Sequence, residues 1–192
     1  MPQGPGHVVV VSGPSGVGKS TIVGQVLQRM GAAFSVSVTT RPPRPGEVDG
    51  RDYHFIDGPT FQGLDRDGEL LEWAMVFGHA YGTPARPVRE AVAAGKTIML
   101  DIDVQGAMMV HRKVPGAAFV LIVPPGDEAL RQRLAGRGSE NGAEAQRRLA
   151  AATKELDAAR RSGIYTHQVV NDDLEKAVQA VVAIVREESV KK

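Results

Sequence analysis

A chain of 192 residues, 42% of them apolar, is long enough for one well-buried core and too short for two full domains. Its 23 Lys and Arg against 22 Asp and Glu leave a net charge of +1, which excludes a chain-wide pull toward nucleic acid or an anionic membrane, so any anion site must be local. The absence of cysteine removes disulfides, thiolate chemistry and zinc–sulfur sites, and suits a reducing, cytoplasmic location.

Residues 1–6 have neither a basic start nor an apolar stretch and read as a frayed start rather than a secretion signal. Residues 8–11 form a β-branched run that predicts a strand buried on both faces, leading directly into a glycine-punctuated loop. Ile22, Val23, Val26, Leu27 and Met30 then recur at helical spacing, and Gly31 stands where a helix-ending glycine belongs. Residues 34–83 break this rhythm. FSVSVT (34–39) and LLEWAMVF (70–77) read as extended, RPPRPG (41–46) as a proline-stiffened loop and 53–56 as a strand, giving an inserted, sheet-like subregion. Pro84 and Pro87 just beyond it are expected to stiffen a hinge.

Buried strands are then predicted over 97–102 and 118–123, with helices over 104–113 and 127–135. The irregular stretch 136–142 and the polar helical pattern over 143–161 predict a mobile lid, followed by a strand at 167–170 and a helix over 174–188. Strands alternating with helices across short connections give an α/β fold, a doubly wound parallel sheet. The longest apolar run, residues 117–123, is far short of the ~20 residues of a membrane span. His7, His54, His79, His111 and His167 are scattered without metal-ligand spacing, so no protein-built transition-metal site is expected.

Between the first strand and helix lie Gly13, Pro14, Ser15, Gly16, Val17, Gly18, Lys19 and Ser20, the pattern G-x-x-x-x-G-K-[ST] in its required strand-to-helix context. Such a loop wraps a polyphosphate in backbone N–H groups, with Lys19 neutralising the β/γ oxygens and Ser20 holding magnesium. Asp101 and Asp103 stand at the carboxyl end of a buried strand, where open α/β sheets place ligands; each could instead cap the following helix, and the two roles can coexist. Arg41 and Arg44 can present two guanidinium forks to one phosphate from the proline-stiffened loop, with Tyr53 and Tyr81 adding hydroxyl donors; the alternative is solvated surface arginines. Glu72, read locally, is either an ordinary strand residue or an acceptor for paired donors.

The ordered segments GPSGVGKST, SVTTRPPRPGE, DYHF, ELLEWA, YGT, LDIDVQGA, RGSE and VNDD, spread from Gly13 to Asp173, resemble the signature segments of guanylate kinases. The resemblance implies one domain over 6–188 with a P-loop NTPase-type core (6–33, 84–135 and 162–188), a GMP-binding subregion (34–83) and a helical lid (136–161). It implies ATP as donor, held on the loop from Gly13 to Ser20 and on Thr21, GMP as acceptor and Mg2+ as cofactor. It sets the acceptor phosphate on Arg41, Arg44, Tyr53 and Tyr81, and the guanine on Ser37, Glu72, Thr83 and Asp101. Arg137 and Arg148 would reach the transferring phosphates from the lid, and Asp103 would lie near magnesium and Lys19.

Physical chemistry points to the same base. Guanine offers N1–H and an exocyclic amine side by side, which one carboxylate accepts as a pair, whereas adenine turns a lone pair toward it. No general base is needed, because the attacking phosphate oxygen is already anionic and the barrier is repulsion between anions. The rival reading is a non-catalytic, protein-binding module of the same fold. The complete loop and the presence of Arg41, Arg44 and Glu72 favour the enzyme, an ATP:GMP phosphotransferase of purine nucleotide metabolism with no nucleic-acid or membrane partner. The sequence carries no signal of oligomeric state.

Overall fold

The computed structural model describes residues 6–76, 78–135 and 142–190. Its core is a five-stranded, wholly parallel sheet of β1 (Val8–Ser12), β2 (Ala33–Phe34), β7 (Ile98–Asp101), β8 (Ala118–Val123) and β9 (His167–Val170), in the order β2-β7-β1-β8-β9. β1 lies at the centre, and both of its faces are covered. Val9 and Val11 point into a cluster with Ile22, Val23 and Val26 of α1 (Lys19–Met30) and Val178, Val181 and Val185 of α7 (Leu174–Val190). Val8 and Val10 point the other way, onto Val88 of α3 (Ala85–Ala93) and Ala107 and Val110 of α4 (Val104–Lys113). The side-chain period of two thus explains why these strands read as unbroken apolar runs: each alternate residue meets a helix.

A second, four-stranded sheet is built by β3 (Val38–Thr39), β4 (His54–Phe55), β5 (Leu70–Val76) and β6 (His79–Pro84) in the order β4-β3-β6-β5, with β5/β6 and β3/β6 antiparallel and β3/β4 parallel. The stretch 34–39, expected as one extended segment, is shared between sheets: Phe34 pairs with Met99 in the core, and Val38 pairs with Gly82 in the second sheet. The sequence reading contained no helix between 57 and 69, yet α2 (Gly58–Arg66) lies there. Asp57 caps it, accepting from Thr60 N at 2.8 Å, and Phe61 packs among Val38, Leu70 and Ala80.

Pro84 and Pro87, expected to stiffen a hinge, are both built into regular structure. Pro84 ends β6 opposite Leu70 and caps α3, and Pro87 falls in that helix's first turn, where the missing N–H costs no helical bond. α5 (Asp127–Ala135) and α6 (Gly142–Ser162) join through Leu130, Leu134, Leu149 and Ala152. The expected lid segment 136–141 lies outside the described residues. Among the described residues no helix is long and apolar enough to cross a membrane.

Candidate active site

The loop after β1 takes its shape from neighbours that leave no room for side chains. Gly16 has φ 83°, and a Cβ there would stand 2.7 Å from Leu134; Gly18 has φ 96°, and a Cβ there would stand 2.7 Å from the Asn171 amide. α1 begins at Lys19 directly after Gly18, with no acidic residue in its first turn, so the positive end of the helix opens onto the loop. Lys19 Nζ donates to the carbonyls of Gly13 (2.6 Å) and Pro14 (3.3 Å), which holds the ammonium inside the anion-binding curve.

Ser20 Oγ donates to Asp101 Oδ2 at 2.7 Å, pairing the hydroxyl expected to hold magnesium with a carboxylate from the end of β7. Burial raises the Asp101 carboxyl above its ordinary value, against the pull of Lys19 and the Ser20 hydrogen bond. Asp101, expected among the guanine readers, is thus bonded to Ser20 at the start of α1, and its charge also reaches Tyr53. Asp103 caps α4, accepting from Gly106 N at 2.7 Å. Its charge acts on Glu72 and Glu155, placing it between donor and acceptor sides.

Three contributors to the loop were not read from the sequence. Asn171 is buried and donates through Nδ2 to Val17 O at 2.8 Å, while Arg133 donates to Asn171 O (2.7 Å) and Val17 O (3.3 Å). VNDD carries that asparagine, but only the fold reveals its target, 154 positions earlier in the chain. Glu155, on α6, lies near the Ser15 N–H, Lys19 and Asp103; burial raises its carboxyl, Lys19 opposes the rise, Asp103 adds to it and the Ser15 N–H lowers it. Arg148 stands two helical turns before it on the same face and is half-buried, whereas Arg137 lies outside the described residues.

On the acceptor side, Arg41 is buried at 8% exposure, 5.5 Å from the Tyr53 ring centroid and 5.8 Å from that of Phe55. Its Nε donates to Tyr81 Oη at 3.0 Å, and Glu47 takes both of its terminal nitrogens, at 3.0 and 2.8 Å. The Tyr53 and Tyr81 rings meet edge to face at 5.8 Å, so three of the four expected phosphate ligands are gathered at one place. Arg44 follows on the same loop with an exposed side chain, its backbone N–H bound to Glu47 at 2.6 Å. Glu47 was missed, although a carboxylate six residues after a buried arginine is a local signal.

Glu72 is only 5% exposed, and its Oε1 accepts the Thr83 hydroxyl at 2.5 Å across the β5/β6 pair. Its Oε2 lies against Gly106, where a Cβ would stand 2.6 Å away. Desolvation pushes its carboxyl up to about 7, with Asp103 adding to the rise and Thr83 and Lys113 opposing it. Thr83, expected on the guanine, donates its hydroxyl to Glu72 and orients that carboxylate. Ser37 is half-buried immediately before β3, where its carbonyl accepts from His54 N at 2.8 Å.

Comparison with known proteins gives one answer. Residues 6–188 match the family model described as guanylate kinase. The chain is 45% identical over 183 residues to a guanylate kinase of Thermus thermophilus, covering 95% of this chain and 82% of that protein. It is 50% identical over 183 residues to one of Gloeobacter violaceus, covering 95% and 88%. The crystal structure of guanylate kinase from Anaplasma phagocytophilum aligns with a TM-score of 0.80 at 32% identity, covering 98% of this chain and 88% of that one.

Proposed function

The chain belongs to the guanylate kinase family, and from that premise we propose how its residues divide the reaction between them. The protein is an ATP:GMP phosphotransferase, converting ATP and GMP to ADP and GDP. The proposed division assigns the core to 6–33, 84–135 and 162–188, the GMP-binding subregion to 34–83 and the lid to 136–161, with Phe34 itself in the core sheet.

The observation that supports the acceptor assignment best is the buried carboxylate of Glu72, held by Thr83. A carboxylate at this depth needs partners, and the N1–H and amine of guanine supply two donors at the spacing of its oxygens. Ser37 adds polar contacts to the base; Arg41, Arg44, Tyr53 and Tyr81 take the phosphate. On the donor side the backbone from Gly13 to Ser20, with Lys19 and Thr21, takes the ATP phosphates. Arg148 and Arg137 approach the transferring group from the lid and offset the repulsion between acceptor and donor anions.

The Ser20 hydroxyl and the Asp101 carboxylate, 2.7 Å apart, are hard oxygen donors of the kind Mg2+ accepts, and among the described residues no cluster of three or more His, Asp or Glu could hold a metal alone. That donor set fits an ion carried in largely by the nucleotide phosphates, with Asp101 orienting Ser20 and Asp103 nearby. Bound there, Mg2+ would neutralise charge on the ATP phosphates. A cysteine-free chain suits the reducing cytoplasm, where we expect the enzyme to act on ATP and GMP without nucleic-acid or membrane partners.

A coupled ADP-release assay with ATP and Mg2+ tests the assignment by offering GMP, AMP, CMP, UMP and ribose bisphosphate in turn. ADP release with GMP alone is expected. Comparable turnover with AMP would remove Glu72 from its role, and no turnover with any acceptor would revive the protein-binding alternative.

A further inference from the structure

Arg41 is almost fully committed before any phosphate arrives. A guanidinium carries five N–H donors. Four of them meet protein acceptors: Nε–H meets Tyr81 Oη (3.0 Å), Nη1 meets Pro42 O (2.7 Å) and Glu47 Oε2 (3.0 Å), and Nη2 meets Glu47 Oε1 (2.8 Å). One N–H on Nη2 is left. The Glu47 carboxylate that grips Arg41 also accepts the Arg44 N–H at 2.6 Å, so both arginines of the phosphate subsite are tied to one anion. The pair is shielded: the Arg41 side chain is 9% exposed and that of Glu47 19%.

We propose that Glu47 is the resident counter-anion of the acceptor-phosphate subsite, a positioning residue that compensates the buried charge of Arg41 while the subsite is empty and limits its grip once the phosphate is bound. With one N–H to offer, Arg41 contributes charge and a single hydrogen bond. The bidentate contact falls to Arg44, whose exposed guanidinium has no hydrogen-bond partner among the described residues. The inference rests on the phosphate assignment made above.

The sign of its consequence follows from which state loses more. Without the Glu47 charge, the empty subsite holds a shielded guanidinium with no counter-ion, whereas the occupied subsite still has the phosphate. Removal therefore harms the empty state more than the complex, and phosphate affinity rises. Repulsion between Glu47 and the phosphate dianion acts in the same direction. Glu47 would thus keep GMP and GDP from binding too tightly, which a subsite that must release a product requires. A carboxylate that merely braced the 41–47 loop would have the opposite effect, since its loss would disorder Arg41 and weaken binding.

Calorimetric titration of the full chain with GMP and with guanosine, in wild type and Glu47→Gln, separates these readings. Glu47→Gln is expected to tighten GMP by about tenfold and to leave guanosine within about twofold. KM for GMP should fall while KM for ATP stays constant. Unchanged or weakened GMP binding, with guanosine unaltered, overturns the proposal and leaves Glu47 a loop brace. Wild-type protein that binds guanosine as tightly as GMP would overturn the phosphate assignment itself. If Glu47→Gln does not fold, Glu47→Asp, which keeps the charge but withdraws it by a methylene, should tighten GMP by a smaller factor; weaker GMP binding there also overturns the proposal.

Discussion

The Thr83 hydroxyl donates to Glu72 Oε1 at 2.5 Å, locking a carboxylate that the fold has buried between β5 and the start of α4. The bond orients Glu72 and partly offsets its desolvation, leaving the carboxyl at about 7.

GMP recognition should therefore depend on pH. Guanine needs the ionised acceptor, so KM for GMP is expected to rise as pH falls through about 7, approaching tenfold per unit well below it, while KM for ATP follows no such course. The same shift has a stability consequence. The folded value lies above the ordinary 4.5, so the contribution of Glu72 is fully present below pH 4.5 and is lost as pH rises through about 7. Glu72→Gln should accordingly raise the melting temperature at about pH 8, with the gain vanishing near pH 4.5. A pH-independent KM for GMP would mean that Glu72 does not read the base.

Selectivity should rest on the same side chain. Glu72→Ala removes the acceptor for two guanine donors, a mismatch of about 1–3 kcal/mol, so the preference for GMP over AMP in kcat/KM is expected to fall about 10- to 100-fold. Turnover with saturating GMP should survive, because Glu72 does not face the transferring phosphoryl. Ratios of kcat/KM for the two nucleotides, measured in the same preparation, check this.

On the donor side, Asn171→Ala tests how much of the loop's shape comes from distant residues. Asn171 is 6% exposed and its Nδ2 lies 2.8 Å from Val17 O, which would retain only the longer Arg133 contact at 3.3 Å. The loss of about 1–3 kcal/mol should lower the melting temperature by several degrees, at about 2–4 °C per kcal/mol. KM for ATP should rise with KM for GMP unchanged. A stable variant with normal KM for ATP would show that the loop holds its shape without this contact.

Much of the core was legible: β8, α4 and α5 fall on the predicted residues because a continuous apolar run and helical spacing leave little alternative there. The edge strand β9 falls on 167–170 as well, although only Val169 of it is buried. The second sheet was harder. Its strands β3 and β4 are two residues each, too short for a period to show, and the stretch 34–39 looks uniform although a crossing between sheets divides it. α2 announced itself only through its Asp57 cap and Pro59 in the first turn. In the site, residues whose chemistry is local, such as Lys19 and Arg41, could be named in advance. The roles of Asn171 and Glu155 depend on contacts with a loop more than a hundred residues away, and Thr83 on a cross-strand partner, which no local pattern specifies.

Glu155 gives a test of what competes with ATP at the loop after β1. Its carboxylate feels Lys19, the cation the triphosphate must engage, and the Ser15 N–H, one of the amides a triphosphate requires. Leu134 lies against Gly16 and packs with Ala152 of α6, so the helix bearing Glu155 is seated beside the loop. ATP and Glu155 then compete for the same donors, and two anions so close repel each other. Glu155→Gln should lower the dissociation constant for ATP several-fold in calorimetry without changing that for GMP, because the amide lacks the competing charge. Weaker ATP binding in Glu155→Gln would reverse the assignment and make Glu155 a brace that holds the Ser15 amide in its phosphate-binding orientation.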